Sequence, residues 1–357
     1  MYFCDKLKVV RMGSFFKDIE VMNFRGFDYL KMENFSKINV VVGANNVGKS
    51  SVLEAIFMLV GMSVPMLPAR VNYWRKNTNS SLDEVRYLFH NIDFGNIPVL
   101  KARTTDGERK VQLSPSLYVD SESASGNLGH AGIKRLNIDF GTNLNEECQY
   151  HTVLYTGSDG SMQQLADDKY KEQMNCLFIS SEKNDSNALA NFVTLVKRGK
   201  KDVVLKALQS FDSDITGVEA LPDGLYLSIK GMKELLPISM AGDGVRRILN
   251  IVSSIATEDY NVVMIDEIDT GLHYSAHKLM WKAVLEFVSK YDIQLFVTTH
   301  NIECLQSLAA VMDKEDAFKP LASVYNISKT LKKGFQTYRY VFGELKEAVN
   351  NEIEIRQ

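Results

Sequence analysis

Apolar residues fall into two rhythms along the chain. Residues 38–42, Ile-Asn-Val-Val-Val, form a short buried-strand run, and residues 49–60 carry apolar side chains at helical spacing. An earlier alternating stretch at 18–24 reads as a strand beside them. A second series starts near residue 237, with a helix at 243–257, a strand at 261–265, a helix at 274–291, a strand at 294–298 and a helix at 302–311. Strands alternating with helices predict an α/β fold with a mainly parallel sheet covered on both faces. Strands near 323–327 and 337–342 extend it.

Between these halves the text changes. Residues 62–173 are rich in Asn, Ser, Gly and Asp, with β-like stretches at 111–119 and 151–155 and turn clusters such as 121–129. They read as an inserted β-rich lobe. A strand at 176–179, amphipathic helices over 188–208 and a β-like run at 224–229 make 174–236 a helical lobe with linking strands. The expected division is therefore 1–61, the first half of an α/β head; 62–173 and 174–236, the two lobes; and 237–357, the second half. No heptad pattern predicts long coiled-coil arms, and there is no internal repeat.

Composition adds limits. The 357 residues carry 41 basic against 44 acidic side chains, so any nucleic-acid surface has to be a local patch. Lys197-Arg198-Gly199-Lys200-Lys201 is the densest basic cluster, followed by Lys329, Lys332 and Lys333; neither is interleaved with the aromatics of a single-strand platform. Cys4, Cys148, Cys176 and Cys304 are scattered without CxxC spacing, which argues against a disulfide framework or zinc site and for a reducing, cytoplasmic setting. No signal-peptide pattern opens the chain, and its longest apolar run, 55–62, is too short to span a bilayer, so no membrane association is expected. Met12 can serve as a second start, leaving residues 1–11 as a dispensable extension.

The candidate chemistry begins at Gly43-Ala44-Asn45-Asn46-Val47-Gly48-Lys49-Ser50, which fits G-x-x-x-x-G-K-[ST] between a strand and a helix. The glycines let backbone N–H groups wrap phosphates, Lys49 neutralises β/γ charge, and Ser50 offers a hydroxyl to Mg2+. Ser51 continues into the helix, whose N-terminus favours an anion. A glycine-rich turn can match by accident; the flanking elements argue otherwise. Asp266-Glu267 closes an apolar strand, so Asp266 can hold Mg2+ through water while Glu267 orients and deprotonates the attacking water. Alone, two acids after a strand are as often a solvated turn. His300, after the next strand, can sense a terminal phosphate by hydrogen bonding. Ser239-Met240-Ala241-Gly242-Asp243-Gly244 opens a helix and reads as a second anion cradle, suited to the nucleotide of a partner subunit. His273 and His277 have i, i+4 metal spacing, but without further ligands they read as surface or interface residues.

In this order the motifs resemble the ATP-binding-cassette superfamily, in the non-transporter branch with RecF-like and SMC-like repair ATPases and OLD nucleases. Arg25 in Asn23-Phe24-Arg25-Gly26-Phe27 looks like that branch's nucleotide-contacting arginine, and Asp269-Thr270-Gly271-Leu272-His273 like its D-loop. The text of 239–247, 298–304 and Glu354-Ile355-Arg356 is most similar to compact, armless OLD-like AAA ATPases. The signature departs from the transporter form Leu-Ser-Gly-Gly-Gln, which argues against a transporter subunit. The resemblance implies an ABC-type head that binds ATP and Mg2+, with Lys49, Glu267 and His300 catalytic, Arg25, 43–51, Ser239, Gly242 and Gly244 on the nucleotide, and Ser50 and Asp266 on the metal. It implies a homodimer, or higher homo-oligomer, that sandwiches ATP. The chain ends 57 residues after His300, too soon for the TOPRIM nuclease domain of OLD proteins. The expected role is thus a slow regulatory ATPase controlling a separate effector, a TOPRIM-type nuclease, in anti-phage defence of the PARIS kind, triggered by a foreign protein or nucleic acid. A RecF-like ATPase that clamps duplex DNA is the alternative.

Overall fold

The computed structural model describes residues 15–76, 81–119, 131–180, 188–257 and 260–356. Cys4, the second start at Met12 and the turn cluster 121–129 lie outside them. The chain opens with the hairpin β1 (Phe16–Phe24) and β2 (Phe27–Glu33), then β3 (Ile38–Gly43), α1 (Lys49–Val60) and α2 (Leu67–Lys76). β4 (Val99–Thr104), β5 (Glu108–Val119), β6 (Ala131–Gly141), β7 (Tyr150–Thr156) and β8 (Met162–Leu165) follow as a meander. β9 (Cys176–Ile179), α3 (Ala188–Lys197), α4 (Lys201–Phe211), β10 (Ile215–Leu221), β11 (Gly224–Ile229) and β12 (Leu236–Pro237) lead into the second half. That half is α5 (Asp243–Ala256), β13 (Val262–Ile265), α6 (Tyr274–Lys290), β14 (Gln294–Thr298), α7 (Ile302–Met312), β15 (Ala322–Thr330), β16 (Gly334–Tyr340) and α8 (Phe342–Asn350).

Among the described residues these strands make three sheets. The central one, ordered β16-β15-β3-β14-β13-β9, is parallel except for β16. The second, β2-β1-β4-β5-β6-β7-β8, is antiparallel, and β10-β11-β12 forms a small third. Period-two alternation divides the central strands between two cores. Val40, Val263, Ile265, Leu295 and Val297 face the helices α3 to α8, whereas Val41, Val262, Met264 and Phe296 face α1 and the antiparallel sheet. Squeezed between the two sheets, α1 is buried from Ser51 to Val60, which explains an apolar content on all sides that a surface helix would not tolerate.

Two expectations change. The strand at 18–24 does not join 38–42 in one sheet. It pairs with β4, Ile19 opposite Ala102 and Val21 opposite Leu100, so residues 62–173 are not a self-contained insertion: their strands extend the sheet that β1 and β2 begin, and the division at 61/62 cuts through it. The tail strand runs 334–340, and Phe342 starts α8. The longest described helix, α6, has 17 residues, and none is long and apolar enough to cross a membrane.

His277 is also misplaced by the sequence reading. It lies fully buried on the stripe of α6 that includes Met280, Trp281, Val284 and Val288, not at the surface. No group of three or more metal-ligating side chains surrounds it among the described residues. Burial lowers its pKa, against the opposing charges of Asp269 and Glu303. The unfolded chain, with a histidine pKa of about 6.5, therefore takes up the proton first, and stability is lost as pH falls through that value. Thermal unfolding followed between pH 7.5 and 5.5 should show a steeper loss of Tm for the native chain than for His277→Leu; parallel curves would place the acid sensitivity elsewhere.

Candidate nucleotide site

Parallel strands deliver their carboxyl ends to one edge, where connecting loops converge on ligands. β3 ends in Gly43, β13 leads directly into Asp266 and Glu267, and β14 into Thr299 and His300, with Ile265 level with Val297 and Thr298 level with Val41. Gly43 and Gly48 hold the loop between them at φ of 151° and 106°. A Cβ on Gly48 would lie 2.5 Å from the Phe27 ring, which packs edge-on to Phe335 at 4.8 Å. A Cβ on Gly43 would lie 2.5 Å from the Ile327 carbonyl oxygen. Neither position accepts a side chain without moving its neighbour.

The loop borders a cavity of about 1330 Å3, lined also by Arg25, Tyr87, Asn91, Glu267, His300 and Lys329. Lys49 Nζ donates to the carbonyls of Gly43 and Ala44 at 2.9 and 3.0 Å. Burial lowers its pKa, while Glu267 and Asp266 push it back up. Ser50 Oγ lies 3.0 and 3.1 Å from the Asp266 carboxylate oxygens. A hydroxyl and a carboxylate so close fit Mg2+, which takes few protein ligands and completes its octahedron with water and phosphate oxygens.

Glu267 sits in the left-handed region at φ 48°, an uncommon conformation for a residue with a Cβ. Its surroundings impose it. Thr298 Oγ1 accepts from the Glu267 N–H at 2.8 Å and donates to Asp266 Oδ1 at 2.6 Å. Arg247, from α5, reaches under the turn and donates to the carbonyls of Asp266 and Glu267 at 2.8 Å each and of Ser180 at 3.2 Å. Burial pulls this guanidinium down to about 10, with Asp266, Asp269 and Glu267 opposing. The Glu267 carboxylate points back into the cavity, where Thr270 Oγ1 donates to Oε2 at 3.0 Å and His300 Nδ1 lies 3.7 Å from Oε1.

A family described as the AAA ATPase domain matches residues 15–94 and 130–305. The chain belongs to that family. A Helicobacter pylori protein named ATP/GTP phosphatase is 23% identical over 340 residues, 84% of this chain and 89% of its own length. An uncharacterized Methanocaldococcus jannaschii protein is 30% identical over 136 residues, 34% of this chain and 61% of its own. Two solved structures overlap loosely, each at a TM-score of 0.42 and 11% identity. They are the SMC head domain from Thermotoga maritima, over 91% of this chain and 98% of that one, and the Pyrococcus furiosus Smc head bound to the C-terminal domain of ScpA, over 96% and 100%.

This AAA ATPase domain gathers most of the expected residues and leaves some apart. Arg25, residues 44–51, Glu267 and His300 share the cavity, and Asp266 is tied to it through Ser50. Ser239, Gly242 and Gly244 do not line it. Ser239 lies in a single 3-10 turn beside Met240, which is 74% exposed, and Gly242 precedes α5 with open space around it. Gly244 is not part of an open cradle: it lies inside α5, where a Cβ would meet the Phe211 ring at 2.8 Å and Leu272 at 3.5 Å. Arg25 does more than face the cavity, since its Nε pairs with Glu54 of α1 at 2.9 Å and its Nη1 donates to the Tyr87 carbonyl.

The sequence reading missed Glu54, Arg247, the bridging role of Thr298, and the cavity wall supplied by Tyr87, Asn91 and Phe335. Only Arg247 left a signal, as an arginine placed on the apolar stripe of an amphipathic helix. Gly48→Ala should weaken ATP binding at least about tenfold, equivalent to ~1.4 kcal/mol, because the new methyl displaces Phe27 or the loop. Titration with a fluorescent ATP analogue checks this, and an unchanged Kd would show that the loop has room to spare.

Proposed function

We propose that the chain hydrolyses ATP in a site completed by a second copy of itself. What carries this reading is the convergence of the phosphate loop, the Ser50–Asp266 pair and the Glu267–His300 pair on one cavity, while Ser239 and Gly242 of the same chain stand outside it, exposed. In the proposed reaction the N–H groups of 43–51 and Lys49 hold the β- and γ-phosphates, and Arg25 lines the entrance. Ser50 and Asp266 would hold Mg2+, which supplies charge neutralisation at the phosphate oxygens. Glu267 takes the proton from the attacking water, and His300 orients that water and senses the γ-phosphate. Ser239 and the N–H groups at Gly242 of the partner close over the γ-phosphate from the other side. Asp243 Cβ lies 3.0 Å from the Cβ position of Gly271, so signature and D-loop form one continuous face, as a shared interface requires.

The cycle is proposed to regulate a separate effector, a TOPRIM-type nuclease in anti-phage defence, through ATP-dependent assembly. Support comes from the similarity of 239–247, 298–304 and 354–356 to compact OLD-like ATPases. The basic clusters lend little to a DNA clamp, since Arg198 donates to the Thr257 carbonyl, Lys200 lies over the Tyr291 ring at 5.4 Å and Lys329 over Phe335 at 4.7 Å.

Glu267→Gln should reduce kcat by about 10²–10⁴-fold while retaining nucleotide, so that size-exclusion chromatography with ATP shows an accumulated dimer. Turnover at the native rate, or a monomer with bound ATP, would overturn the assignment. Chelation of divalent cations should abolish hydrolysis, and added Mg2+ should restore it; activity that persists in chelator would remove the Ser50–Asp266 metal role.

A further inference from the structure

The residues Glu354, Ile355 and Arg356 lie beyond the family match, which ends at 305, yet they return to the site. Arg356 Nη1 donates to the carbonyl oxygen of His300 at 2.9 Å, across 56 positions of sequence. The rest of the guanidinium is held in place. Its Nε and Nη2 donate to the two carboxylate oxygens of Glu354 at 2.6 and 2.5 Å, a planar fork that fixes where the remaining N–H groups point. Between them Ile355 is 1% exposed and packs in the core beneath the central sheet, while its carbonyl accepts from Asn326 Nδ2 of β15 at 2.9 Å. An apolar plug, a buried amide and an ion pair thus anchor three residues, and from them a hydrogen bond reaches the site at the backbone of His300.

That backbone needs holding. His300 stands where the chain leaves the sheet, its side chain 55% exposed and its Nδ1 3.7 Å from Glu267 Oε1. Its neighbours are tied on both sides: Thr299 Oγ1 donates to Asp269 Oδ1 at 2.6 Å, and Asn301 Oδ1 accepts from the Glu303 N–H at 2.8 Å to cap α7. Arg356 supplies the anchor at the histidine itself.

We propose that Arg356 is a positioning residue for hydrolysis: by gripping the His300 carbonyl it sets the direction of the imidazole toward Glu267 and the terminal phosphate. The proposal rests on the reading of His300 as the phosphate sensor. Lysine cannot replace the arginine fully, since one ammonium cannot hold the Glu354 fork and the His300 carbonyl with the same fixed geometry.

Steady-state ATPase kinetics of the full chain test this with Arg356→Ala, Arg356→Lys, His300→Ala and the double alanine variant. The expected result is a kcat lowered about three- to tenfold in Arg356→Ala with KM within about twofold, an intermediate kcat in Arg356→Lys, and no further loss when Arg356→Ala is added to His300→Ala. A turn with only a structural role would lower Tm and reduce kcat by the same factor in both backgrounds, which overturns the proposal. Native turnover in Arg356→Ala beside a slow His300→Ala also overturns it and leaves the sensor role standing. Native turnover in His300→Ala itself removes the sensor role, and the positioning role with it.

Discussion

The burial of α1 between two sheets is the constraint on which the site depends. A parallel sheet must be covered on both faces, and here one cover is a single helix that is itself covered by an antiparallel sheet. The helix that carries Lys49 and Ser50 at its start therefore cannot tilt or slide without breaking two packed layers. The ion pair from Arg25 to Glu54, both side chains under 10% exposed, fastens the β1–β2 hairpin to that helix near its phosphate end. Breaking such a pair on one side leaves a buried charge, so the hairpin and the helix are expected to move together or not at all.

Opposite the helix, the second fixed point is Arg247. Its guanidinium ties α5, which begins at the exposed signature, to the backbone of Asp266 and Glu267. Gly244, packed on Phe211 and close to Leu272, joins that helix start to the α4 helix and the D-loop. The surface proposed to meet a second subunit and the residues proposed to perform chemistry are thus joined through the first turns of α5.

The sequence revealed the motifs because their chemistry is local: 43–50 must be a loop between strand and helix, and Asp266 and Glu267 must end a strand. It also showed that β3, β13 and β14 are buried on both faces, since their near-continuous apolar runs leave neither face for water. It could not show partners. The alternation of β1 fits a half-buried strand in any antiparallel sheet, and only the register with β4 decides which one. The cavity wall at Tyr87, Asn91 and Phe335 was invisible for a related reason: those residues lie far in sequence from the phosphate loop and from Asp266 to His300, and carry no motif. His277 could have been found, because its spacing to Met280 and Trp281 places it on the buried stripe of α6, but the pair of histidines near the helix start, without further ligands, read as surface or interface residues instead.

The left-handed backbone at Glu267 has a further consequence. Glycine would occupy that conformation without a steric penalty, so the most comfortable residue at 267 is one with no carboxylate. Keeping the acid means that Thr298 and Arg247 must over-determine the turn against its own preference. With the catalytic role proposed for Glu267, the site is a place where stability and activity pull on one residue in opposite directions, and a chain selected for thermal resilience alone would drift away from glutamate there.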